Sequence, residues 1–171
     1  MTSFATQKII QSAWRKWLLP LNWTNPYAVT LNLKQVVDTV TDRGIAPRFL
    51  DQQSASHNLR HLLNRLNKHF HGNAARRFGR KLQVLPVLEG GQNQRLHYHL
   101  LIDLPPSVDL DEAYPLFVEQ WHQTPWGYGQ THVQQCYDDG WLDYITKLRS
   151  KPNIADSIDL QNLHMPSLTA H

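Results

Sequence analysis

A closely spaced pair of histidines, His97 and His99, lies in a run, RLHYHLLID, whose composition predicts a β-strand. Alternate residues of a strand face the same way, so the two imidazoles are expected to share one face. The opposite face is predicted to be apolar and to consist of Leu96, Tyr98, Leu100 and Ile102. Two imidazoles on one face could bind a metal ion together. The alternative is that both are ordinary, half-exposed strand histidines.

A glutamate, Glu89, ends the strand-like run that precedes the pair, LQVLPVLE. The two runs are joined by GGQNQ, a glycine-containing connection that predicts a β-hairpin. In a hairpin centred on Asn93, Glu89 lies directly opposite His97, with its carboxylate on the imidazole face. Two nitrogens and one oxygen would then converge and leave coordination positions open for a substrate, as a catalytic metal site requires. Such a set also accommodates zinc, so it does not identify the ion, and Glu89 could instead be a plain turn residue.

A tyrosine and a lysine, Tyr144 and Lys147, lie three residues apart in the last predicted helix, DDGWLDYITKLRSK. They therefore share one helix face and could address a single phosphate together. A tyrosine hydroxyl, with a reference pKa of ~10, is a poor nucleophile unless a metal or a cation activates its surroundings. Lys147 is the natural cation for that role. The alternative is that Tyr144 only packs in the core while Lys147 reaches water.

The rest of the chain supplies the elements that must position these residues. Apolar periodicity and turn residues predict helix, strand, helix, strand, strand, helix, strand and helix. These elements are expected at about residues 7–19, 27–33, 54–71 (capped by Ser54 or Ser56), 82–89, 95–103, 109–122, 129–137 and 138–151. Pro86 cannot donate to a sheet ladder and predicts an edge or a bulge. The expected fold class is α+β, with a single antiparallel β-sheet of about five strands and helices mainly on one face.

Length and composition predict one domain, since 171 residues with 41% hydrophobic content can bury one sizeable core. We expect an N-terminal helix or extension over residues 1–24, the domain itself over 25–151 and a C-terminal tail over 152–171. The tail is expected to be loose because it is polar and irregular. In the helix over residues 109–122, the predicted buried face consists of Leu110, Tyr114, Phe117, Val118 and Trp121.

Composition also narrows the class of protein. The chain has no run of the ~18 apolar residues that a membrane span needs and no signal-peptide pattern at its start, so we expect a cytoplasmic protein without membrane contact. A lone cysteine, Cys136, excludes a thiolate zinc cluster, so any metal must rest on histidine and carboxylate. The net charge of +3 permits a nucleic-acid partner without requiring one. The cations that suit phosphate contacts are Arg76, Arg77, Arg80 and Lys81, although they could equally form a solvated surface.

The order of these motifs resembles a known family, the HUH endonuclease domain of rolling-circle replication initiators. These are the Rep proteins of small single-stranded DNA viruses, phages and plasmids. Their second motif, a His-hydrophobic-His on a strand with an upstream acidic ligand, is matched by His97, Tyr98, His99 and Glu89. Their third motif, Tyr-x-x-Lys on a helix, is matched by Tyr144 and Lys147, and their first, an apolar strand with threonine, by YAVTLNL. The resemblance covers roughly residues 25–150.

The resemblance implies an RRM-like or ferredoxin-like HUH topology and a nicking and joining activity. Glu89, His97 and His99 would bind Mg²⁺ or Mn²⁺, and Tyr144 would attack a DNA phosphate with help from Lys147. The products would be a 5′-phosphotyrosine link and a free 3′-hydroxyl, and the reverse transfer would rejoin the ends. The expected substrate is single-stranded DNA or an origin hairpin of a phage, plasmid or mobile element, with the basic stretch from Arg76 to Lys81 guiding its backbone.

Two related functions remain as alternatives. A single-tyrosine HUH transposase shares the fold and the histidine pair, but such enzymes tend to carry Tyr-x-x-x-Gln, and position 148 here is leucine. A non-catalytic DNA-binding module is the other. The chain lacks the Gly-x4-Gly-Lys-Ser/Thr loop of viral initiator helicases, so unwinding is expected to need a host helicase. The sequence predicts neither the recognised DNA sequence nor the oligomeric state.

Overall fold

The structure is a computed structural model that describes residues 4–18, 20–91, 94–138, 140 and 157–165. These residues form an α+β fold, which confirms the predicted class. The helices are α1 (Phe4–Leu18), α2 (Gln52–His71), α3 (Asn73–Phe78) and α4 (Leu110–His122). The strands are β1 (Pro26–Leu33), β2 (Val36–Thr41), β3 (Gly44–Phe49), β4 (Val84–Gly91), β5 (Gln94–Asp103) and β6 (Gly127–Gln135). No described helix is both long and apolar enough to span a membrane.

The strands divide into two sheets. Four of them form an antiparallel sheet in the order β4-β5-β1-β6, so Pro86 lies on an edge strand, as predicted. The other two, β2 and β3, pair only with each other within the described residues. This hairpin was not predicted, and the expected single sheet is a four-stranded sheet plus a two-stranded one. The outward side chains of the hairpin are apolar and exposed, which hides the usual alternation of a half-buried strand: Val36, Val40, Ile45 and Phe49.

The larger core lies on one face of the four-stranded sheet, under α2 and α4. Strand β1 alternates as expected, with Tyr27, Val29, Leu31 and Leu33 all buried in this core. Helix α2 is capped by Asp51, whose carboxylate accepts a hydrogen bond from Ser54 N at 2.6 Å, and not by Ser54 or Ser56 as predicted.

Helix α4 buries a narrower stripe than its sequence suggested. Its buried residues are Ala113, Phe117 and Trp121, which recur once per turn, while Leu110 and Tyr114 are exposed. The Trp121 indole donates to the Asn32 carbonyl at 2.8 Å and ties the helix to β1. A helix that covers one end of a sheet through a single row needs no wider apolar face.

A smaller core lies on the opposite face of the sheet. Leu18 at the end of α1 packs there against Leu85 and Val87 of β4 and Leu101 of β5. This is the face on which the two imidazoles were expected, so α1 covers one end of it. Most helical cover is therefore on the other face, in agreement with the sequence prediction.

Residues 157–165, expected to belong to a loose tail, are packed along the outer edge of β4. Val84 and His164 exchange two backbone hydrogen bonds of 2.8 and 3.0 Å, and the Asp159 amide donates to the Pro86 carbonyl at 3.0 Å. Ile158 is buried in the smaller core. The prediction was wrong for this stretch because a polar composition conceals one apolar anchor and the open hydrogen-bonding edge of β4.

Candidate metal centre

The hairpin between β4 and β5 places the predicted ligands together. Glu89 is directly opposite His97 in the antiparallel register, as predicted from the sequence. The connection depends on Gly90, which has φ +106° and a backbone so close to Arg95 that a Cβ atom would overlap the Arg95 carbonyl. A β-bulge follows at once, because the register shifts between Glu89 and Gly91. The turn therefore brings the carboxylate of one strand to the imidazoles of the next.

Three donor atoms converge in this cluster. The Nε2 atoms of His97 and His99 are 3.2 Å apart. Glu89 Oε2 lies 3.5 Å from His97 Nε2 and 3.2 Å from His99 Nε2. Ligands bound to one ion at about 2.0–2.2 Å are themselves separated by roughly 3.0–3.5 Å. The spacing of the three atoms thus fits a shared divalent cation.

The other ring nitrogens show how the imidazoles are oriented. His97 Nδ1 lies 2.9 Å from the Arg95 carbonyl, which can only accept, so Nδ1 carries the proton. His99 Nδ1 lies 3.1 Å from Thr30 Oγ1, which can accept in the same way. Each neutral ring then directs the lone pair of Nε2 toward the other and toward a carboxylate. Such an arrangement is repulsive until a cation is shared among the three atoms, and outer partners of this kind are usual for metal-bound histidine.

Burial separates the two histidines. His99 is 8% exposed, and this burial, together with the neighbouring His97, lowers the pKa of His99 to about 4. Its ring is therefore neutral at pH 7, the form that binds a metal. The side chain of His97 is more accessible, so one side of the cluster is open to a substrate. A cavity of about 450 Å³ borders the buried side and includes His99, Thr30, His132 and Gln134 in its lining.

The residue between the two histidines, Tyr98, is held from the other side of the sheet. Its ring is fully buried in the larger core, and its hydroxyl donates to Asp159 Oδ2 at 2.8 Å. Asp159 also accepts hydrogen bonds from Ser56 (3.1 Å) and Asn162 (2.7 Å). Burial and the adjacent carboxylate raise the pKa of Tyr98 well above its ordinary value, so the hydroxyl keeps its proton. The segment 157–165 thereby supports the strand that carries the ligands.

Residues 27–153 match the family described as replication-associated protein ORF2. The chain belongs to this replication-associated protein family. The match confirms the resemblance to Rep-type initiators that the order of motifs suggested. No curated protein and no solved structure matches the chain.

The two other predicted site residues, Tyr144 and Lys147, fall within the span of the family match. Both lie outside the described residues, so their roles stay predictions. The described residues on either side of them are attached to the four-stranded sheet. Cys136, just beyond β6, donates its amide to Pro26 of β1, and Ile158 bridges to Val87 of β4.

The basic stretch predicted to contact DNA is not adjacent to the cluster. Arg76 and Arg77 belong to α3, and Arg80 and Lys81 precede β4; all four are exposed. Val84 pairs with Ile102 at one end of the sheet and Glu89 with His97 toward the other. Five residues of strand separate these positions by about 17 Å.

Sequence reasoning missed two supports of the cluster. The contact of Thr30 with His99 depends on the pairing of β1 with β5, and the contact of Asp159 with Tyr98 on the return of residues 157–165 to the sheet. The threonine in YAVTLNL was a usable signal, since its alternation places it on the imidazole face once the two strands pair. No local pattern marks Asp159.

Proposed function

We propose that this protein initiates rolling-circle replication as a metal-dependent endonuclease that nicks single-stranded DNA and rejoins it. The observation that carries the proposal is the cluster of Glu89, His97 and His99, in which both Nε2 atoms and one carboxylate oxygen face a common point. It occurs in a chain that belongs to the replication-associated protein family. The exposed side of His97 leaves room for a DNA phosphate.

The three ligands would hold one divalent cation, Mg²⁺ or Mn²⁺. The bound cation would supply Lewis-acid polarisation of the scissile phosphate and neutralise the charge that develops on its oxygens. Thr30 and the Arg95 carbonyl would keep both imidazoles in the tautomer that presents Nε2. Tyr98 and Asp159 would hold the strand between them in place.

The bond changes are those of a transesterification. The Tyr144 oxygen would attack phosphorus and lose its proton to solvent while Lys147 orients the phosphate. The bond from phosphorus to the 3′-oxygen would break, and that oxygen would take a proton to become a free hydroxyl. The DNA downstream of the nick would stay joined to Tyr144 through its 5′-phosphate. Attack by a 3′-hydroxyl on this link would reverse the reaction and join two ends.

The test is the covalent adduct itself. Single-stranded oligonucleotides from a randomised pool, labelled at the 3′ end, are incubated with the protein and Mn²⁺ and separated on a denaturing gel. The label is at the 3′ end because that fragment is the one retained on tyrosine. A labelled protein band that disappears with chelator supports the proposal, and sequencing of the attached DNA would identify the site. Binding of the pool without any adduct would instead favour a non-catalytic DNA-binding module.

A further inference from the structure

An arginine and a tyrosine form an exposed pair beside the metal cluster. The Arg95 guanidinium lies 4.5 Å from the centroid of the Tyr128 ring, and both side chains are exposed. Arg95 is on β5 and Tyr128 on β6, with β1 between them, so the arginine reaches across the sheet. The carbonyl of the same Arg95 holds the His97 ring at 2.9 Å. The pair is therefore connected directly to a metal ligand.

The surface between the pair and the cluster is polar and continuous. Asn32 is the β1 partner of His97, and its side-chain amide donates to the Gln130 carbonyl of β6 at 2.9 Å. Beneath this surface Leu33 and Trp121 are fully buried, so Arg95 and Tyr128 can only lie on the side that faces solvent. That side is the imidazole face of the sheet.

The charge of Arg95 is unneutralised within the described part of the chain, where no carboxylate forms an ion pair with it. A guanidinium stacked on an aromatic ring keeps its hydrogen-bond donors in plane and available for a phosphate. An exposed aromatic ring offers a stacking surface to any unpaired base. Together the two groups have the chemistry that recognises single-stranded nucleic acid.

We propose that Arg95 and Tyr128 bind a nucleotide adjacent to the cleaved phosphate, with the ring stacked on its base and the guanidinium on its backbone phosphate. This inference rests on the proposed function, since it assumes that the cluster acts on single-stranded DNA. It differs from the sequence prediction, which assigned backbone contacts to Arg76, Arg77, Arg80 and Lys81 at the other end of β4. The pair is the nearer cationic surface, and among the described residues it alone joins a cation to an aromatic ring next to His97.

The test measures DNA binding without catalysis. Fluorescence anisotropy with labelled oligo(dT) and with a randomised single-stranded pool, both in excess chelator, is compared among Arg95→Ala, Tyr128→Ala and Arg80→Ala. We expect each of the first two variants to weaken binding about tenfold, because one stacked base is worth ~1–3 kcal/mol. Arg80→Ala removes the same charge at a distance and should stay within about twofold of wild type.

Two further variants separate stacking from charge. Tyr128→Phe keeps the ring and should bind nearly as wild type, whereas Tyr128→Leu should bind as weakly as Tyr128→Ala. Arg95→Ala should reduce the salt dependence of binding by about 0.7 in log–log slope, and Tyr128→Ala should not. Since both side chains are exposed, all variants should keep the thermal unfolding midpoint of wild type. The loss caused by Tyr128→Ala should be absent with duplex DNA, whose bases are already stacked.

Equal losses for Arg95→Ala and Arg80→Ala, or wild-type binding by Tyr128→Ala, would overturn the inference. These results are independent of the adduct assay. Tight binding that depends on Arg95 and Tyr128 supports the inference even if no adduct forms, in which case only the nicking proposal fails. A normal adduct with both variants at wild-type affinity would have the opposite meaning.

Discussion

The Nε2 atoms of His97 and His99 lie 3.2 Å apart, and each ring uses its Nδ1 atom on a separate outer partner. Removal of either ring should therefore remove a metal ligand and not a packing contact alone. For His97→Ala and Glu89→Gln we expect Mn²⁺ affinity to fall on the order of 100-fold or more, since even outer-shell partners contribute about 10–100-fold. The measurement is electron paramagnetic resonance of free Mn²⁺ during titration. His132→Ala is the matched control, because it removes an exposed histidine from the adjacent cavity and should leave affinity unchanged.

Thr30→Val tests the outer partner of His99. Valine has nearly the shape of threonine but cannot accept a hydrogen bond, so the His99 ring loses the contact that orients it. We expect metal affinity to fall about tenfold by isothermal titration calorimetry, with little loss of stability. Thr131→Val is the control, because that hydroxyl is buried with no partner among the described residues and its removal should be neutral or stabilising. An unchanged affinity in Thr30→Val would show that the ring needs no outer partner.

Tyr144→Phe tests the proposed nucleophile. Phenylalanine keeps the ring and removes the oxygen that would attack phosphorus, so the labelled adduct should be abolished while DNA binding in chelator stays near wild type. Tyr137→Phe serves for comparison, since its exposed hydroxyl bonds only to Gln135 among the described contacts and should be dispensable. An adduct that persists in Tyr144→Phe would assign the chemistry to another residue.

Tyr98→Phe tests the support behind the ligands. The substitution removes the buried donor to Asp159 and leaves one carboxylate oxygen with fewer partners. We expect a loss of about 1–3 kcal/mol in the free energy of unfolding, measured with urea. Tyr114→Phe removes an exposed hydroxyl and should cost almost nothing. Equal stability of the two variants would mean that residues 157–165 contribute little to holding β5.

Local patterns were sufficient for the cluster because the geometry of a hairpin is local. The five residues from Gly90 to Gln94 and the alternation around Tyr98 determine that Glu89 meets His97, whatever the rest of the chain does. Contacts between distant segments were not accessible in this way. The Thr30 contact requires the pairing of β1 with β5, and the Asp159 contact requires a segment about 60 residues further on to return to the same strand.

Two errors have a common physical origin. In the hairpin of β2 and β3 the apolar residues Val40 and Ile45 face solvent, and in α4 so does Tyr114. Periodicity predicts which residues can be buried and assumes that something covers them. Where no described element does, the same pattern marks exposed surface or hides a strand. The turn residues Asp42 and Arg43 and the β-branched run before them were the remaining signal for the hairpin.

The segment 157–165 also has a consequence for how separate molecules meet. It occupies the amide of Val84 and the carbonyls of Val84 and Pro86 on the outer side of β4. Deletion of residues 157–171 would leave these groups free to pair with a strand of another chain. A shortened protein should therefore self-associate edge to edge along β4, which would be visible as concentration-dependent aggregation, and each joined edge would lie along the strand that carries Glu89.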